Sequence, residues 1–195
     1  DVADAESSLR KYLNKRRETK PTCNWILQNV EILHQFVNIE ETCKLISLKL
    51  DKTIREVEEN NKELIKIAVD YMKSIDDAEH DYNHTKDVVN NTARILDALN
   101  VTEYKIVETC IISAYWHDVG RIKGADDHEL RSAEMLIKAA DKLGYCYLFR
   151  DICYQAIKTH KYNMKEKTNV GQILKEADKL AFISPGRWSK KKKKK

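Results

Sequence analysis

The chain has 195 residues, 42% hydrophobic and 34% charged, which suits one globular domain with a modest extension and excludes a disulfide-stapled miniprotein or a low-complexity chain. Its net charge of +4 belongs to six consecutive lysines at 190–195, without which the body stands at −2; no nucleic-acid-binding stripe is expected outside that tail. Five glycines and two prolines are too few for the turns of a sheet protein, so the composition points to helices.

A first helix is expected over 4–18. Pro21-Thr22 restarts the chain, and Trp25, Ile26, Val30, Leu33 and Val37 give a helical stripe to residue 38. Ile39 to Val57 follows, with Leu45, Leu48 and Ile54 among its apolar positions, and Asn60-Asn61 breaks it. Leu64, Ile65, Ala68, Val69 and Met72 form the next stripe. Asp81-Tyr82-Asn83 opens a helix whose face carries Val88, Asn91, Ile95 and Leu99. Thr102 starts another, in which Val107, Cys110, Ile111 and Ala114 lead to His117; Gly120 and Gly124 end it and give the following segment freedom. Asp126 or Asp127 is expected to cap a helix over 128–142, Gly144 separates it from one over 146–160, and a lysine-rich loop fills 161–168. Asn169 is expected to cap a last helix to residue 182, stopped by Pro185-Gly186. No stretch alternates for the length of a strand. These signals give an all-α bundle of about eight helices. Residues 1–75 form an N-terminal helical part packed on the core, 76–184 the core itself, and 185–195 a basic tail expected to be disordered.

The five cysteines, Cys23, Cys43, Cys110, Cys146 and Cys153, make an odd set with no C-x-x-C spacing. Cys110 and Cys153 fall in apolar helical stripes and read as small buried hydrophobes. That usage suits a reducing cytoplasm. The opening DVADAESSLR is too polar for a signal peptide, and no apolar run is long enough to cross a membrane.

Five of the six histidines lie between residues 80 and 160; His34, far from the others, reads as structural. The informative fragments are EHDYNHTKDVV (79–89), AYWHDVGR (114–121), DHELRSAEML (127–136), IKTHK (157–161) and LKEADKLAF (174–182). Each sets a His or Asp at the end or on the inner face of an apolar helix. An inward ionised Asp is expensive unless paired or bound to metal. His84, His117, Asp118 and Asp178, from separate helical segments, form a mixed N/O donor set that suits Mn²⁺, Fe²⁺, Zn²⁺, Co²⁺ or Mg²⁺ better than a soft metal. His117 and Asp118 project roughly 100° apart on a helix, so both can face one ion only near a helix end.

These fragments resemble the HD-domain superfamily of metal-dependent phosphohydrolases, whose pattern H…HD…D is matched by His84, His117-Asp118 and Asp178. The resemblance covers residues 78–183 and implies an HD-domain-like helical bundle with those four as metal ligands. In dinuclear branches two more histidines lie between the HD pair and the last Asp, and His128 and His160 look like them. One or two ions are therefore expected, with Asp118 as the bridge in the second case; otherwise His128 and His160 are phosphate contacts or surface residues. His80 is either a substrate contact at the mouth or a capping, solvent-facing residue. The acidic pair of the guanosine tetraphosphate hydrolases is replaced by Val119-Gly120-Arg121-Ile122. The GYP motif of the cyclic-di-GMP phosphodiesterases and the Glu of the 5′-nucleotidase branch are absent, which leaves the small bacterial HD hydrolases as the nearest group.

The function expected from the resemblance is metal-dependent hydrolysis of a small phosphorylated substrate, with a nucleotide as first candidate. Asp118 would hold metal and orient or deprotonate water, and Arg121 would contact phosphate, assisted by Lys123, Lys161 and Lys165. The alternatives are a di-iron oxygenase of the same fold and a non-catalytic nucleotide-binding module. No membrane partner is expected, nucleic acid would be met only non-specifically by the lysine tail, and a homodimer is compatible with the sequence.

Overall fold

In a computed structural model, the chain is described over residues 39–75, 80–161 and 163–182. By its internal contacts it divides into Asp1–Leu45 and Ile46–Lys195. Seven α-helices and one 3₁₀ turn are present among the described residues, with no strand: α1 (Ile39–Asn60), α2 (Lys62–Lys73), α3 (Tyr82–Ala98), α4 (Tyr104–Trp116), the 3₁₀ turn (Val119–Lys123), α5 (His128–Lys142), α6 (Tyr147–Lys158) and α7 (Asn169–Phe182). The expected all-α fold is observed. The helices expected over 4–18 and 22–38, His34, Cys23, the side chain of Cys43, Pro185-Gly186 and the lysine tail lie outside the described residues.

α4 is the axis of the larger unit. Val107, Cys110, Ile111, Ile112, Ala114 and Trp116 are buried, and the helix packs against α2, α3, α5, α6 and α7. From Val107 onward only Tyr115 is partly exposed, so after its first turn the helix has no solvent face and takes the centre. The surrounding helices each bury one stripe, including Leu64, Ala68 and Met72 of α2, Leu136 and Ala140 of α5, and Leu174 and Ala177 of α7. Cys110 and Cys153 are buried free thiols, as expected, and burial pushes both up to about 12, which leaves them inert.

The break at Asn60-Asn61 occurs where the sequence placed it, and its cause is a buried amide. Asn61 Nδ2 donates to the Val57 carbonyl at 2.8 Å and to Glu108 Oε1 at 3.3 Å, and its Oδ1 accepts from the Tyr145 hydroxyl at 2.7 Å. Several local readings change. Leu45 and Leu48 are exposed, and Leu50, Thr53 and Val57 are the buried positions among the described side chains of α1. Leu99 caps α3 and is exposed, while Leu96 takes the inward place. Glu103, not Thr102, caps α4, accepting from Lys105 N and Ile106 N. At α7 the capping oxygen is Thr168 Oγ1, which accepts from Gly171 N at 3.0 Å, so Asn169 is already helical.

Gly120 is needed for close approach rather than for freedom at a helix end. A Cβ there would lie 2.3 Å from the His128 carbonyl oxygen and 2.7 Å from Ser132 N. Its own N–H donates to Ser132 Oγ at 2.8 Å, and Arg131 Nε donates to its carbonyl at 3.1 Å. The 3₁₀ turn after His117-Asp118 is thereby seated directly on the start of α5. Because the obstructing atoms are backbone, Gly120→Ala should destabilise the fold by about 1–3 kcal/mol or more. Urea unfolding checks this, and an unchanged midpoint would contradict the packing described.

Candidate metal centre

The centre is assembled from helix ends. Asp81 caps α3, its Oδ1 accepting from His84 N at 3.0 Å, which fixes His84 in the first turn. α4 ends at Trp116, so His117 is its C-cap and Asp118 is the N-cap of the 3₁₀ turn. This change of backbone direction lets two consecutive side chains face one place. His128 is the first residue of α5, and His160 follows Thr159, the C-cap of α6. Asp178 comes from the inner face of α7, whose neighbour Ala177 accepts at its carbonyl from Asn91 Nδ2 of α3 at 3.2 Å.

All six residues named from the sequence converge, with His80 as a seventh. Asp118 is only 2% exposed. Its Oδ2 lies 2.8 Å from His80 Nδ1, 3.7 Å from His84 Nε2 and 3.5 Å from His117 Nε2. Its Oδ1 lies 2.9 Å from Arg121 Nε, 3.1 Å from His128 Nε2 and 3.9 Å from His160 Nε2. Asp178 Oδ1 is 3.1 Å from His84 Nε2 and 4.0 Å from His117 Nε2. Three donor groups result, each within 4.8 Å: His84, His117 and Asp178; Asp118, His128 and His160; and His80, His84 and Asp118. Asp118 joins the two sides through its separate oxygens.

The tautomers reveal what the pocket is for. His117 Nδ1 meets the Ala114 carbonyl at 2.8 Å, His128 Nδ1 the Ala125 carbonyl at 2.7 Å, and His160 Nδ1 the Ile157 carbonyl at 2.6 Å. A carbonyl only accepts, so each Nδ1 carries the proton, and the Nε2 turned inward is the atom whose lone pair is available to a metal. Three lone pairs and two carboxylates therefore point at a common interior. His117 Nε2 and His84 Nε2 stand 3.3 Å apart, and the buried Asp178 Oδ1 and His84 Nδ1 have no hydrogen-bond partner among the described residues. Such a donor set fits one or two divalent cations, with the histidine N–H groups anchored to backbone as metal ligands commonly are.

The electrostatics agree. Burial works against the charge of Asp118, but His117, His128, His80 and Arg121 hold its carboxyl well below the usual range. Burial likewise opposes ionisation of Asp178, and the close approach of His84 Nε2 at 3.1 Å with the nearby His117 outweighs it. Burial lowers His84, and it pushes His160 down to about 4. His84 and His160 are thus held towards the neutral form and the two aspartates towards the charged one, as metal ligation requires.

The basic residues divide. Arg121 turns onto Asp118 and is 14% exposed, while Lys123 and Lys165 are exposed and Lys161 pairs with Glu129 at 3.2 Å. One feature was left open by the sequence, His80, and two were not singled out as site parts, Glu129 and Lys175. His80 lies against Asp118, with its ring 5.6 Å from that of Phe182. Glu129 is buried beside His128. Lys175 is buried and donates to the Met164 carbonyl at 2.6 Å, tying the loop after His160 to α7. The spacing H-D-x-x-H at 80–84 was the available signal for His80, and adjacency to His128 was the signal for Glu129.

Fold and centre together define an all-helical protein with a buried histidine–aspartate site able to hold divalent metal. The sequence matches the HD domain family over residues 81–183, and the chain belongs to that family. It is similar to the crystal structure of a predicted HD superfamily hydrolase from an uncultured Thermotogales bacterium, with a TM-score of 0.58 and 26% identity over 66% of this chain and 72% of that one. No curated protein gives a significant match.

Two outcomes follow from the geometry. His117→Ala removes a ligand from the middle of the centre and should abolish most metal retention; elemental analysis checks this, and full retention would contradict the assignment. In chelated protein, His160 should make stability acid-sensitive. Its folded value near 4 lies below the roughly 6.5 of an unfolded histidine, so the unfolded chain gains the proton first as pH falls. Stability is complete above pH 6.5 and should fall by about 3 kcal/mol on the way to pH 4. Denaturant midpoints across that range check it, and His160→Gln should flatten the slope.

Proposed function

We propose that this protein is a divalent-metal-dependent phosphohydrolase acting on a small phosphorylated substrate, with nucleotides the class to test first. The observation that carries the proposal is the convergence of inward Nε2 lone pairs on two ionised carboxylates, an arrangement with little use in a purely structural core. The similarity to a predicted HD superfamily hydrolase supports the same reading. A bound divalent ion supplies charge neutralisation for a phosphoryl group and a lowered pKa for water.

The chain's own residues supply the rest. His84, His117 and Asp178 would hold one ion, and Asp118, His128 and His160 a second. Asp118, charged at neutral pH, would help to hold the metal and to orient or deprotonate the attacking water. Arg121 offsets the Asp118 charge and offers guanidinium N–H groups to a phosphoryl oxygen. His80 is 12% exposed, more than the other histidines of the centre, and so stands nearest the mouth, where a leaving oxygen would need a proton. Exposed Lys123 and Lys165 add positive charge to the approach.

The same six donors also support a second reading, a di-iron oxygenase. Substrate-dependent oxygen consumption without phosphate release would favour it. No helix among the described residues is long and apolar enough to cross a membrane. The cysteine usage supports a cytoplasmic setting, and a homodimer is compatible with the sequence.

The decisive variant is Asp118→Asn, which keeps the shape while removing charge and base. Turnover in a nucleotide and phosphate-ester screen with Mn²⁺ should fall by roughly a hundredfold or more, while ligand affinity changes less. Equal turnover in Asp118→Asn and wild type would place the chemistry elsewhere.

A further inference from the structure

The second donor group depends on two helix ends. His128 opens α5 and His160 follows the end of α6, and such ends are where helical hydrogen bonds run out. Asp127, before His128, makes no side-chain capping bond and sits in the left-handed region at φ 49°, ψ 26°. The start of α5 therefore lacks the support that Asp81 gives His84 at the start of α3. Each histidine is followed by a charged residue, Glu129 and Lys161 respectively. These two meet, with Lys161 Nζ 3.2 Å from Glu129 Oε1; the glutamate side chain is 6% exposed and the lysine 50%. The other carboxylate oxygen, Oε2, lies 3.6 Å from His128 Nδ1.

We propose that the Glu129–Lys161 ion pair is a strap that sets the spacing of His128 and His160, and so governs uptake of an ion beside Asp118 without governing the site of His84, His117 and Asp178. The proposal rests on the metal centre described above. The strap ties the two helix ends together one residue beyond each ligand. Released from Lys161, the buried Glu129 carboxylate would compete with the Ala125 carbonyl for the His128 N–H that fixes the ring. The first group has no such dependence: α3 is capped by Asp81, His117 ends the central helix, and Asp178 lies within α7. Lys161 and Glu129 are positioning residues that act through the histidines.

Calorimetric titration of the metal-free full chain with Mn²⁺ tests this without reference to turnover. The wild-type chain should show two binding steps. Glu129→Gln and Lys161→Met should each weaken one step by roughly ten- to a hundredfold and leave the other unchanged. Lys161→Arg should restore it, and the double variant should be no weaker than the weaker single, because both break one contact. Lys161 is half exposed, so Lys161→Met keeps the test intact if Glu129→Gln folds poorly. Unchanged binding in both variants, equal weakening of both steps, additive losses, or a single step in the wild type would overturn the strap. A wild-type chain that takes up no Mn²⁺ would instead remove the metal centre itself.

Discussion

A single buried negative charge organises this molecule. Asp118 is almost wholly removed from solvent and yet ionised. An isolated carboxylate in such a place would be too costly to keep charged. Its two oxygens are met by His80, His84 and His117 on one side and by Arg121, His128 and His160 on the other. Helices α3 to α7 and the 3₁₀ turn, together with His80 ahead of α3, each contribute to or support that ring of partners. The bundle is therefore arranged around a charge as much as around an apolar core.

Helix ends are the device by which this is done. A side chain in mid-helix shares its direction with neighbours three and four residues away. A side chain at a terminus can be aimed by a cap or a change of backbone. His117 and Asp118 face one interior because α4 gives way to a 3₁₀ turn between them. That turn is held against α5 by the missing side chain of Gly120 and by Arg131, which donates to the carbonyls of Gly120 and Gly124. The glycine of HDVGR is thus part of the metal centre's support, although it touches no ligand atom. Asp178 is the mid-helix exception, and it comes from a face of α7 packed on α3 and α4.

Much of the fold could be read from periodicity, because apolar stripes on α2 and α4 to α7 are long and uninterrupted. The boundaries were less legible. Thr102 and Glu103 are adjacent and both can cap, as are Thr168 and Asn169, and only the N–H that each oxygen reaches decides between them. Leu48 and Leu99 fit a helical stripe in sequence but are exposed, since one residue of rotation moves a stripe by roughly 100°. At the centre, His84, His117, Asp118 and Asp178 were nameable in advance, because a charged or imidazole side chain on an apolar face needs an explanation, whereas His128 and His160 were candidates only through the resemblance to the HD-domain superfamily. His80 was ambiguous because it precedes its helix and shares no stripe. Glu129 and Lys161 were hidden because their contact joins α5 to the segment after α6, which local pattern does not report.

The most direct test is to locate the ions. Crystals grown with Mn²⁺ or Fe²⁺, measured at the metal's absorption edge, should show anomalous density enclosed by the Nε2 atoms of His84 and His117 with Asp178, and beside Asp118 facing His128 and His160. Density confined to surface carboxylates, with the interior of the histidine ring empty at saturating metal, would contradict the central claim that Asp118 and its histidines are a metal centre.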